Sequence, residues 1–339
     1  MNLTELFESA VSQKASDIHL AVGEPPFFRI GGKLVRQELP VLDSPSLEKM
    51  LQGVLTPEAW ARLNSGIPVE RQFLQGDLSF SSVIFRSGGE GLCATFRIIQ
   101  ADVPSLEKIG EGAMELVQQI IDSRRGLVLI AGPTASGKNT TASAIAEAIN
   151  QTKADRIFIV GKGPNYRHRS KQGMVTQLQV GLDFETYERA LEALLAADLD
   201  VVTVDDIPTA EALRQIIILA ETGHLVIANM HADSVTDVLR RLFHAAGGDA
   251  LALHRSLAQN LIYITVQRLF QRANGTGRVP AYEWLAATPE VRQAILHGDL
   301  GRVVDLQASE PESQTLKKAL DELVAAGKIT EEQAAPHRV

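Results

Sequence analysis

The chain has 339 residues, 45% of them hydrophobic and 22% charged, with a net charge of −8. That is long enough for two domains and ordinary for a folded globular protein, which excludes a disordered or low-complexity class. The acidic balance argues against general duplex-DNA binding, which calls for a basic footprint. No stretch approaches the ~20 apolar residues of a membrane-spanning helix. Cys93 is the only cysteine, so an intrachain disulfide and a four-cysteine metal site are excluded, in keeping with a reducing cytoplasm.

In chain order, Leu3, Leu6, Phe7, Ala10 and Val11 line one face of a predicted helix over 2–13, and Asp17-Ile18-His19-Leu20 reads as a strand. Phe27–Ile30 and Lys33–Arg36 flank Gly31-Gly32, the pattern of a two-residue hairpin turn. Helices near 44–53 and 57–64 and strands near 78–86 and 91–98 complete a small α+β domain over 1–100. Residues 101–112, containing Pro104 and glycines, read as a linker. From 113 to 339 the pattern alternates: helix 113–122, then strands 127–131, 156–160, 200–204 and 224–229 separated by helical segments, as a parallel sheet with crossovers demands. The tail reads as helical over 250–271, 289–297 and 314–326, ending at Gly327.

The chemistry centres on Gly132-Pro133-Thr134-Ala135-Ser136-Gly137-Lys138-Asn139-Thr140. It follows an apolar run, Gly126–Ala131, and opens a helical segment, which is the setting a phosphate-binding loop requires. In the G-x-x-x-x-G-K-[ST] pattern, main-chain N–H groups wrap the phosphates, the lysine reaches the terminal ones, and the hydroxyl ligates Mg²⁺. Here Asn139 stands where the hydroxyl belongs. The structural alternative is a glycine turn that binds nothing. Further on, Val201–Val204 followed by Asp205 and Asp206 has the form of a Walker B strand ending in acids. His224 and His231 bracket the next apolar strand, and each reads equally well as structural or functional.

Taken together, these segments resemble the PilT/PilU-type retraction ATPases of type IV pili, within the secretion ATPases. The resemblance runs nearly end to end. It rests on Ala15–Leu20 with Gly23, Pro25, Pro26, Arg29, Gly31 and Gly32; on the loop at 132–141; on Glu221-Thr222-Gly223-His224-Leu225 with His231; and on a closing segment containing Gln314, Thr315, Leu316, Leu320, Gly327 and Lys328. It implies a PAS-like N-terminal domain, a RecA-like nucleotide-binding domain with a helical C-terminal segment, and a hexameric ring formed with itself or with an active motor. It also implies ATP or ADP as the nucleotide, an inner-membrane pilus platform protein as partner, a cytoplasmic location at the pilus base, and no nucleic acid. By the same resemblance Arg86 and Arg97 are candidate contacts to a nucleotide, and His224 a further one. Asp206, Asp205 and His231 are the catalytic candidates, with Asn139 and Asp206 as the metal candidates.

The departures from the family pattern concern hydrolysis. Where the family reads roughly I-E-D-P-I-E-F-V-H, this chain reads Val160-Gly161-Lys162-Gly163-Pro164-Asn165-Tyr166-Arg167-His168, without an acid. Where the family reads V-G-E-M-R-D, it reads Val204-Asp205-Asp206-Ile207-Pro208-Thr209. Loss of a positioned acid or base costs about 10²–10⁴ in rate, or about 3–5 kcal/mol of barrier. The expectation is therefore a nucleotide binder with little hydrolysis, weak or absent Mg²⁺, and a regulatory role. The alternatives are an active retraction ATPase using Asp206, with Glu221, Asp205 or Asp233 as a further acid, and a scaffold or sensory module that binds no nucleotide. Lys162, Arg167, Arg169 and Lys171 form either a solvated basic face or an additional hold on phosphate.

Overall fold

The structure is a computed structural model that describes residues 2–75, 78–88, 91–99, 103–109, 113–163, 166–245 and 250–338. Two compact units emerge: Met1–Asp102 together with Gly163–Arg167, and Val103–Lys162 together with His168–Val339. Pro164, Asn165 and, of the expected linker, residues 101, 102 and 110–112 lie outside the described residues. The described part of that linker contains a short 3₁₀ turn, Leu106–Ile109.

In the first unit, helix α1 (Leu3–Ser12) begins with a capping box between Asn2 and Glu5, which satisfies two otherwise orphaned N–H groups. It leads into β1 (Ala15–Ala21), then the hairpin of β2 (Phe27–Ile30) and β3 (Lys33–Arg36). Gly31 and Gly32 turn that hairpin at φ +58° and +83°, the double left-handed geometry such a turn needs. Helices α2 (Ser44–Gln52) and α3 (Pro57–Asn64) follow, then strands β4 (Val69–Gln75), β5 (Leu78–Ser87) and β6 (Gly91–Ile99). The sheet order is β3-β2-β1-β6-β5-β4, and its neighbouring strands run antiparallel. Phe7, Phe28, Phe80 and Phe96 are fully buried between helices and sheet, with the Phe7 ring stacked 4.0 Å from that of Phe80. Each such side chain contributes about 1.5–3 kcal/mol of burial.

The second unit starts with α4 (Met114–Asp122), β7 (Gly126–Ala131), α5 (Lys138–Thr152), β8 (Arg156–Gly161) and β9 (Met174–Gln179). There follow α6 (Tyr187–Leu194), β10 (Val201–Val204), α7 (Ala210–Glu221), β11 (Leu225–Met230), α8 (Val235–Ala245) and α9 (Ala250–Asn260). The chain then forms β12 (Leu261–Gln271), β13 (Arg278–Ala286), α10 (Pro289–His297), α11 (Leu300–Ser309), α12 (Leu316–Ala325) and α13 (Glu331–Ala334). The sheet order is β13-β12-β7-β11-β10-β8-β9, parallel except for the β12–β13 pair. Strands β7, β10 and β11 are buried along their whole length, because helices cover both faces of the sheet.

One expectation is overturned. Residues 250–271 are not one helix: α9 ends at Asn260, and 261–271 is a strand paired on one side with β7 and on the other with β13. The run Leu261-Ile262-Tyr263-Ile264-Thr265-Val266 is rich in β-branched and aromatic residues that pack well on a pleated surface. Burial on both faces removes the alternation that would have marked it as a strand. Strands β4, β9 and β13 and helix α11 also stand where the sequence reading placed nothing.

Candidate nucleotide site

The loop between β7 and α5 is shaped by three backbone features. Gly132 lies at φ +149°, and a Cβ there would sit 2.3 Å from the Gln267 carbonyl oxygen and 2.6 Å from Ser136 Oγ. Gly137, at φ +94°, caps α5, and a Cβ there would meet Gln267 Nε2 at 2.7 Å. Ala135 also adopts positive φ (63°), a conformation unusual for a residue with a side chain. The loop therefore rests against Gln267 of β12, whose Oε1 accepts from Thr141 Oγ1 at 2.8 Å. The misread strand is thus part of the site. No sequence pattern around Gln267 announces this role, because the contact spans more than a hundred residues.

Lys138 is buried, and its Nζ donates to the carbonyls of Gly132 (2.7 Å) and Pro133 (2.8 Å). Burial pushes its ammonium below the usual lysine range, and the charge of Asp206 opposes that shift. Ser136 is 3% exposed, and its Oγ is buried without a partner among the described residues. Such a hydroxyl is costly unless something else completes it. Asn139 Oδ1 accepts from Asn229 Nδ2 at 2.7 Å. Asn229 was missed by the sequence reading, although an amide inside the apolar run Leu225–Met230 is a signal in itself, since buried polar groups are kept when they have a partner.

The two acids after β10 part company. Asp205 Oδ1 accepts from the Tyr187 hydroxyl at 2.5 Å and its Oδ2 from the main-chain N–H of Lys162 at 3.0 Å. Burial pushes its carboxyl above the usual range, against the lowering effect of those two donors. The same surroundings push the Tyr187 hydroxyl well up, burial first and the Asp205 charge second. Asp206 Oδ1 accepts from the N–H of Ile207 at 3.0 Å, and its charge acts on Lys138.

His224 closes the end of α7: its Nδ1 lies 2.9 Å from the Leu219 carbonyl and 3.1 Å from Thr222 Oγ1. A carbonyl only accepts, so Nδ1 carries the proton. His231 is exposed beyond the end of β11. In the first unit, Arg97 Nε donates to Asp17 Oδ1 at 3.0 Å, directly across the β1–β6 ladder, and Arg86 Nη2 donates to Asn64 Oδ1 at 2.8 Å. The two arginines are not neighbours, because Arg97 is paired across the sheet with Ser81 rather than with Arg86. Of the four cations between 162 and 171, Lys171 is committed to Glu147 Oε1 at 2.6 Å.

Comparison with known proteins gives the family and the fold. The family model described as "Type II/IV secretion system protein" matches residues 1–335. The chain belongs to that family. Within the Type II/IV secretion family it is 30% identical to the type IV pilus retraction ATPase PilT of Pseudomonas aeruginosa, over 98% of this chain and 97% of that protein. It is 28% identical to the type IV pilus ATPase PilU of the same organism, over 99% of this chain and 88% of that one. Among solved structures, the pilus retraction motor PilT with bound ADP superimposes with a TM-score of 0.91 at 30% identity, covering 99% of this chain and 96% of that one. The two-domain α/β fold, with a RecA-like ATPase domain, is therefore that of PilT. No helix among the described residues is long and apolar enough to cross a membrane.

Proposed function

We propose that this chain is a nucleotide-binding member of the pilus-retraction branch of the family in which ATP hydrolysis is weak or lost, and that it regulates or partners an active motor of the PilT kind. The observation that carries the reading is the Asn139–Asn229 hydrogen bond. It engages the side-chain oxygen of Asn139 with a protein donor at the place where the loop pattern puts a Mg²⁺ ligand. Mg²⁺ takes oxygen ligands in near-octahedral geometry. Asp205 spends both oxygens on Tyr187 and Lys162, which leaves Asp206 as the remaining carboxylate after β10. Among the described residues no group of three or more His, Cys, Asp or Glu side chains is placed to hold a metal. The protein side of a Mg²⁺ site is thus reduced to Asp206 and an amide oxygen already engaged by Asn229, which supports weak Mg²⁺ binding.

Nucleotide binding needs less. The backbone cradle at 132–138, the charge of Lys138 and the positive end of α5 suit a polyphosphate. The likeness to an ADP-bound PilT supports ADP and ATP as the ligands. We extend the proposal to assembly: a ring with itself or with an active motor, at the cytoplasmic side of an inner-membrane pilus platform.

Phosphate release by the purified protein, alone and with a PilT-type motor, tests the proposal, with Lys138→Ala as control. The expected result is turnover far below one per second for the chain alone, with an altered rate for the motor in its presence. Turnover of about one per second, at the low end of ordinary enzymes, abolished by Lys138→Ala, would overturn it. Light scattering with and without nucleotide and motor tests the assembly, and a strict monomer throughout rejects it. One observation favours a second reading, an active ATPase: the Asp206 charge acts on Lys138. In that reading Asp206→Asn eliminates the turnover.

A further inference from the structure

Residue 139 follows the loop lysine in the first turn of α5, and Asn229 lies near the end of β11, the strand paired in parallel with β7. Asn229 is 1% exposed, in a strand buried along its whole length. A primary amide has one acceptor oxygen and one NH₂ with two donors. With Asn139 Oδ1 turned to Asn229 Nδ2 at 2.7 Å, the group of Asn139 able to meet a phosphate oxygen, which only accepts, is its NH₂.

The reverse orientation of the pair is the costlier one. It would place the Asn229 NH₂ where its oxygen now lies, a buried position without a partner among the described residues. Orphaned buried donors are rarer than under-satisfied carbonyl oxygens. The loop also holds a second incomplete group, the buried hydroxyl of Ser136. Ser136 and Asn139 therefore both keep hydrogen-bonding capacity within or next to a loop whose backbone pattern suits an anion.

We propose that Asn139 Nδ2 donates a hydrogen bond to a phosphate oxygen of the bound nucleotide, so that the site neutralises polyphosphate with an amide donor where related loops use a metal, and that Asn229 is the positioning residue that fixes the amide in this orientation. The inference rests on the nucleotide-binding reading and adds its metal independence and the residue responsible.

The experiment is the affinity for ADP, by calorimetry, in Mg²⁺ and in EDTA. Wild-type protein binds ADP with affinities within about threefold of each other in the two conditions. Asn139→Asp keeps an acceptor for Asn229 but turns the NH₂ into a second oxygen, so affinity in EDTA falls tenfold or more and Mg²⁺ restores it. Residue 139 is only half-buried, which makes this the variant best tolerated by the fold. Asn229→Asp, an acceptor that forces the Asn139 NH₂ to turn inward, gives the same loss in EDTA, with a thermal melt to show that the protein is folded. Wild-type binding that weakens tenfold or more in EDTA overturns the inference and leaves nucleotide binding standing. So does an Asn139→Asp protein that binds ADP in EDTA as well as wild type. Absence of ADP binding in both conditions overturns the nucleotide reading itself, and this inference with it.

Discussion

The carboxylate of Asp205 occupies the space that a side chain at Gly161 would need: an ideal Cβ there would lie 2.5 Å from Asp205 Oδ2 and 2.6 Å from its Cγ. Gly161 ends β8, and Asp205 directly follows β10, its parallel neighbour. In the family pattern to which the sequence was likened, an acid would stand at the position of Gly161 and a glycine at that of Asp205, the reverse of what this chain carries.

Because Tyr187 and the Lys162 N–H hold Asp205, it cannot swing aside for a larger neighbour. Gly161→Ala is therefore expected to lose about 1–3 kcal/mol of stability in urea unfolding, the usual cost of overpacking. Asp205→Gly in the same chain should recover a large part of that loss, with a coupling of at least ~1 kcal/mol in a double-mutant cycle. By the same geometry, Gly161→Glu requires Asp205→Gly. Additive effects of the two changes would show that the carboxylate yields after all.

Removing the Tyr187 hydroxyl should expose the cost of ionising Asp205. Tyr187→Phe is expected to destabilise by about 1.5–3 kcal/mol at neutral pH, the range for a hydrogen bond to a charged group. Asp205 titrates above the ordinary 3.8 because of burial. An acid raised in the folded state stabilises below its unfolded value, and that stability is lost as pH rises through the folded value. Loss of a donor to the carboxylate raises the folded value further. The deficit of Tyr187→Phe relative to wild type should accordingly shrink on acidification from pH 8 toward pH 4. A deficit independent of pH would mean that the hydroxyl does no more than fill space.

Lys138→Ala should weaken ADP binding by ten- to a hundredfold, the equivalent of about 1.5–3 kcal/mol for charge-assisted hydrogen bonds. The melting temperature without nucleotide should fall as well, because Nζ ties the carbonyls of Gly132 and Pro133 together. Unchanged ADP affinity would remove the loop from consideration as the site.

Acid sensitivity should begin with His168. Its ring is buried and faces Glu147 Oε2 at 2.9 Å through Nδ1, beside Lys171, Asn150 and Gln151, with Gln177 bonded to its main-chain N–H. Burial pushes it below its ordinary 6.5, against the pull of Glu147, so the contact is a hydrogen bond from a neutral ring rather than an ion pair. Burial works to raise the Glu147 carboxyl, but the hydrogen bonds from Lys171, His168, Gln151 and Asn150 outweigh it and hold it low. A base depressed in the folded state loses stability as pH falls from its unfolded value toward its folded one. Thermal stability should therefore decline from about pH 6.5 downward, followed by a second decline as Glu147 protonates. His168→Asn, which keeps a donor toward Glu147, should reduce the first decline to the part that His19, also pushed below 6.5 by burial, supplies. An unchanged decline in that variant would place the titration elsewhere.

Much of this protein was legible in its sequence because the signals are local. The loop 132–141 announces itself by glycines and a lysine at fixed spacing between an apolar strand and a helix, and the Gly31-Gly32 hairpin by two residues that tolerate positive φ. End-to-end resemblance to the pilus motors rests on such short segments in order. What the tertiary structure decided is which distant residues meet. β12 read as helix because a strand buried on both faces shows no period of two, and its burial comes from β7 and β13 far away in the chain. Asn229 could be seen as an oddity in an apolar strand, but not as the partner of Asn139. Asp205 could be counted as an acid, but not as the occupant of the space beside Gly161. Local preferences act over a few residues, whereas strand order and register set which side chains share a volume, and those are fixed by packing the whole sheet at once.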